Sequence, residues 1–131
     1  MKIPDKLKLM LELKAALPVY LNPKIKLDTI CLGRMTSNGD FVLSARASVL
    51  NENYEIICVY KENSAGERSA ICITLRGAGR DMASYDYTTK RGFHRHSIAN
   101  GNKEKKHIPI SGNLKEFAKE IELRINEDKR Q

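Results

Sequence analysis

The chain has 131 residues, 41% apolar and 30% charged, with a formal net charge of +7. That make-up fits one globular domain with a real core and excludes low-complexity or collagen-like chains. No run approaches the roughly 20 apolar residues of a membrane span, and the opening MKIPDKLKLMLELK lacks the unbroken apolar stretch of a signal peptide, so a cytoplasmic protein is expected.

The first predicted element is a helix over residues 5–17. Asp5 caps it after Pro4, and Leu7, Met10, Leu11 and Leu17 recur at helical spacing until Pro18 stops it. Leu9 and Leu13 widen the stripe, as expected of a helix lying on a sheet. Residues 18–23 then connect to a sheet region expected over 27–110. Thr29-Ile30-Cys31-Leu32 reads as a short strand and Ser37-Asn38-Gly39-Asp40 as a turn. Phe41, Leu43 and Ala45 alternate with Val42, Ser44 and Arg46, and Tyr54, Ile56, Cys58 and Tyr60 do the same with Glu55, Ile57 and Val59. After the polar turn 63–68, residues 69–75 (SAICITL) form a further strand, and short turns between neighbours predict an antiparallel meander.

Gly77 and Gly79 break that strand, and residues 81–89, which show little periodicity, read as a loop. Residues 91–98 and 103–110 form a predicted hairpin closed by Asn100-Gly101, a pair suited to a type I′ turn. A final helix is expected over 113–126, with Asn113 and Glu116 as a capping box and Leu114, Phe117, Ile121 and Ile125 as one apolar stripe, followed by a frayed tail. The predicted fold is a single α+β domain over residues 1–131, an antiparallel sheet of about five strands flanked by an N-terminal and a C-terminal helix. Cys31, Cys58 and Cys72 are odd in number, lack metal-ligand spacing and lie in apolar segments, so they read as buried thiols.

Chemistry concentrates between Arg76 and His107. That stretch holds all three histidines and eight of the Lys/Arg residues against three acids, a local balance of +5 out of +7. Such a patch suits a polyanion. In Phe93-His94-Arg95-His96, strand geometry sends both imidazoles to one face. Two chemistries use such a pair. In acid–base cleavage of RNA, His94 and His96 transfer protons, Tyr87 donates a proton or stacks on a base, and cations steady the phosphate. The candidate phosphate contacts are Arg76, Arg80, Lys90, Arg91, Arg95, Lys105 and Lys106, with Arg34 and Arg46 as extensions if register allows. Metal ligation is the other use of His-x-His, and it needs a third ligand. Asp81, Asp86 and His107 are at hand but at no diagnostic spacing, and the surrounding cations oppose another dication. The sequence alone therefore assigns no metal and no cofactor.

The strand over 41–46, the Tyr-bearing strand to Tyr60, the Arg/Gly turn, the His-x-His segment and the strand His107-Ile108-Pro109-Ile110 before a last helix occur in that order. Over roughly residues 40 to 125 this resembles a group of small bacterial and phage proteins classed as domains of unknown function, whose relatives include apparent toxin components of toxin–antitoxin pairs. The group carries Pro-His-x-His after a glycine turn, where this chain has Phe93 at the proline position. The resemblance implies that His94 and His96 lie at the group's shared site; an antitoxin-like partner is the expectation that goes with the toxin reading.

The resulting expectation is a small basic protein directed at nucleic acid, RNA above all, acting as a metal-independent ribonuclease of the toxin type. The alternative is a non-catalytic binding module or inhibitor that docks its basic hairpin on nucleic acid or an acidic protein. A metal-dependent hydrolase ranks third.

Overall fold

The computed structural model describes residues 3–21 and 25–130, with side chains at 9, 11–21, 25 and 34–130. Helix α1 (Ile3–Ala16) precedes seven strands, β1 (Lys26–Met35), β2 (Phe41–Val49), β3 (Tyr54–Glu62), β4 (Arg68–Gly77), β5 (Arg80–Thr88), β6 (Gly92–Ala99) and β7 (Asn102–Pro109), and helix α2 (Leu114–Lys129) follows. The strands lie side by side in chain order, each antiparallel to the next, so the predicted meander extends over the whole sheet. Among the described residues no helix is long and apolar enough to cross a membrane.

The sheet has seven strands where about five were expected, and β5 occupies the segment expected to be a loop. Its inward positions Ala83, Tyr85 and Tyr87 alternate with Ser84, Asp86 and Thr88. Polar residues on the second face hide the period, and aspartate is depleted in strands. Ser84 and Asp86 are nevertheless 4% exposed each, since that face is also covered.

One face of the sheet carries the apolar core. Ala47, Ile56, Ile73, Leu75 and Tyr85 pack against Leu13, Leu17 and Leu21 from the N-terminal segment and Phe117, Ile121 and Ile125 from α2. Each fully buried aliphatic side chain contributes about 1.5–3 kcal/mol. The inward row of α1 is Leu9, Leu13 and, just beyond the helix, Leu17, whereas Leu11 of the expected stripe is 54% exposed. Asp5 falls inside the first turn rather than ahead of it. The side chains of Leu7, Met10 and Cys31 and residues 22–24 of the connection lie outside the described residues.

Helix α2 runs on to Lys129, past the expected end at 126, and its cap differs in one detail. Asn113 accepts the Lys115 N–H, as a cap should, but Glu116 binds the Ser111 hydroxyl, and Ser111 Oγ accepts the Asn113 N–H. Ser111 thus mediates what a capping box does directly. Upstream, Tyr85 donates its hydroxyl to Gly112 O at 2.7 Å, and its ring lies 5.5 Å from those of Phe93 and Phe117. These contacts fasten α2 to β5 and β6.

Two-residue loops with positive φ close β4–β5 (Ala78, Gly79) and β6–β7 (Asn100, Gly101), the type I′ pattern expected at the second. The β5–β6 ladder is short, pairing Asp86 with His94, Tyr87 with Phe93 and Thr88 with Gly92. Beyond it β6 leaves β5, and the His96 N–H donates to Ser84 Oγ instead. The hairpin curls over the polar face of β4 and β5. Its tip is tied by Asp81 N–H to Gly101 O at 2.8 Å and by Lys103 N–H to the Asp81 carboxylate at 3.3 Å.

Candidate metal centre

Alternation along β6 turns His94 and His96 toward the covered polar face and Phe93 and Arg95 toward the helices. His94 stands opposite Asp86 of β5, and His96 stands opposite His107 of β7. All three imidazoles therefore meet. Their ring centroids lie 5.3 Å (His94–His96), 5.0 Å (His94–His107) and 4.5 Å (His96–His107) apart. One ring nitrogen of each lies within 4.8 Å of the other two. Ligand nitrogens around a tetrahedral zinc-class ion stand roughly 3.4 Å apart, so closing on an ion takes ring movements of about an ångström.

The tautomers follow from the partners. His94 Nδ1 lies 2.9 Å from Gly92 O, and His96 Nδ1 lies 2.9 Å from Glu104 O. A carbonyl only accepts, so each Nδ1 carries the hydrogen and each neutral ring keeps its lone pair on Nε2. His107 holds its proton less tightly than an ordinary histidine. Burial is the first cause, the Arg91 cation the next, and the neighbouring imidazoles add to both against an opposing pull from Asp86. It is disposed to be a neutral ligand.

Asp86 lies beside the cluster. Its Oδ1 is 3.5 Å from Lys103 Nζ, and its Oδ2 is 3.8 Å from His96 Nε2. Lys103 Nζ also donates to Cys72 Sγ at 3.3 Å, which links β7 to β4 across β5. The Cys72 thiol is pushed up by its burial and by Asp86, with Lys103 opposing, so it stays protonated at neutral pH.

The other residues singled out in the sequence scatter. Tyr87 lies on the helix side of the sheet, its ring 4.9 Å from Phe93 and beneath the Arg68 guanidinium, away from His94 and His96. Arg95 points the same way and lines a cavity beside Phe117 and Glu120. Arg76 is engaged by Asp81 and by Gly79 O, both at 2.7 Å. Arg80, Lys90, Arg91, Lys105 and Lys106 are exposed. Arg46 pairs with Glu55 at 3.3 Å.

Neither family models, curated proteins nor solved structures match the chain. His107 joins His94 and His96 through a signal the sequence did contain. Continuing the tip register (Ala99 opposite Asn102, Ile98 opposite Lys103) without interruption would set His107 opposite His94, on the same face. A bulge in β7 moves it two residues along β6, opposite His96, and so keeps the face. Asp86 carries no such signal, because the polar second face of β5 hides its strand period.

Proposed function

We propose that this is a metal-dependent domain directed at phosphate-bearing polyanions, in which His94, His96 and His107 hold a divalent transition-metal ion. One observation carries the reading. Three imidazoles from two strands converge, and two have Nδ1 fixed on backbone carbonyls so that the Nε2 lone pairs are free. Imidazole donors favour zinc-class ions over Mg²⁺ or Ca²⁺. Such an ion supplies a Lewis acid for a phosphoryl oxygen and a coordinated water with a pKa near about 7. Arg91, exposed and felt electrostatically at His107, supports an anionic group at the rim.

Packing weighs against the metal-independent ribonuclease. Acid and base of an in-line displacement stand on opposite sides of the phosphorus, whereas these rings lie 4.5–5.3 Å apart and leave no gap for a phosphodiester between them. Tyr87 and Arg95 lie on the helix side of the sheet, away from the face on which the three imidazoles meet. RNA stays the favoured polyanion, supported by exposed Arg80, Lys90, Arg91, Lys105 and Lys106, with an acidic protein as the alternative partner.

Calorimetric titration of Zn²⁺ into the metal-free chain tests the centre. One ion per chain is expected, with binding lost in both His94→Ala and His107→Ala. A wild-type chain that binds no Zn²⁺, Co²⁺ or Ni²⁺, yet cleaves RNA in the presence of a chelator, would restore the metal-free reaction.

A further inference from the structure

Behind the imidazoles sits a group that three-histidine ligation leaves unexplained. Asp86 is 4% exposed, and its Oδ2 is a buried oxygen with no hydrogen-bond partner. Buried carboxylate oxygens are costly to leave unmatched, and such an orphan calls for a cause. Its orientation supplies one. Lys103 Nζ stands on Oδ1 and is itself held on Cys72 Sγ, which leaves Oδ2 facing His96 Nε2 at 3.8 Å. With the Nδ1 hydrogen of His96 already given to Glu104 O, the neutral ring presents a lone pair to a carboxylate lone pair. Two acceptors face each other across a gap close to the spacing of two donors on one tetrahedral ion, roughly 3.4 Å.

We infer that Asp86 Oδ2 is the fourth protein donor of the centre, giving a three-histidine, one-carboxylate site for a zinc-class ion. This rests on the histidine centre proposed above. Asp86 and His94, both almost fully buried, form its inner side, and His96 and His107, half-buried, form the outer side. An anionic ligand therefore approaches from the outer side as a fifth donor, an expansion that zinc accepts. Lys103 is a positioning residue that holds the carboxylate for the ion, and its ammonium offsets the negative charge while no ion is bound. The competing cation is a proton on His96, which would turn the same contact into an imidazolium–carboxylate pair.

Asp86→Asn keeps the shape and removes the charge, so Zn²⁺ affinity by chelator competition should fall at least about tenfold. The visible spectrum of the Co²⁺-loaded variant should shift from that of wild type as the donor set changes. If the variant binds Zn²⁺ as tightly as wild type with the same Co²⁺ spectrum, Asp86 is not a ligand although the histidine centre stands. Failure of wild type to bind either ion overturns both. Should the variant not fold, a crystal structure of the Zn²⁺-loaded wild type decides, with Oδ2 within about 2.2 Å of the ion expected. A water between Oδ2 and the ion, or a hydrogen bond from His96 in the presence of zinc, overturns the assignment.

Discussion

Single atoms decide most of what the centre does. The Nδ1 contacts of His94 and His96 go to main-chain carbonyls, so no side-chain substitution deletes them, and the Nε2 orientation is a property of the hairpin backbone. Protons compete with the ion for these nitrogens, so zinc affinity should drop as the solution is acidified, measurable by chelator competition at stepped pH. The thiols behave differently. Burial pushes Cys58 up to about 12, and its folded state therefore holds the proton through neutral pH. A raised acid stabilises fully below its unfolded pKa, here 9.0, and loses that contribution as pH rises toward 12. A colorimetric thiol reagent at pH near 8 should find Cys58 inert in the native chain and reactive after denaturation. At the far end, Asn113→Ala should cost about 1 kcal/mol in urea unfolding through loss of the α2 cap.

At the scale of elements, the link between β5, β6 and α2 runs through Gly112. Its φ is +81°, and a Cβ there would lie 2.6 Å from the Phe93 ring. Gly112→Ala should therefore destabilise the fold by about 1–3 kcal/mol. Because Phe93 adjoins His94, zinc affinity should fall as well, and equal affinity in mutant and wild type would separate the packing from the site. The same elements show how far sequence reading reached. Apolar alternation made β2, β3 and β4 legible, Asn100-Gly101 revealed the last hairpin, and Phe117, Ile121 and Ile125 marked the buried side of α2. β5 stayed hidden because its second face is polar and buried, a combination that only a hairpin folding back over the sheet makes favourable. The His-x-His pair was visible, but its partners depended on that same fold-back. Asp86 reaches the cluster through the β5–β6 register, and Lys103 through the fold-back of the hairpin over β4 and β5, which no local pattern encodes.

For the whole molecule, an ion that binds only the folded chain adds stability by mass action. At a free Zn²⁺ concentration one hundred times Kd the gain is about 2.7 kcal/mol, and for a domain of this size that raises Tm by roughly 10 °C. Differential scanning calorimetry with and without Zn²⁺ should show the rise in wild type and none in His94→Ala. Polyanion binding, if it uses the exposed Arg80, Lys90, Arg91, Lys105 and Lys106, should weaken steeply with salt while zinc binding to the interior changes little. A comparable salt slope for both would place the ion on the surface instead.

The three-rung seam between β5 and β6 has a kinetic consequence. Three of the proposed donors ride on the hairpin and the fourth on the strand it leans against, so a bound ion would bridge the seam, and release of all four donors would need the hairpin to lift. Dissociation then takes its rate from a local opening of the sheet. In a chelator chase the release rate should climb with chelator concentration and then level off, and the plateau is the opening frequency of the hairpin itself. The lifetime of the bound metal would become a clock for one weak seam in the fold.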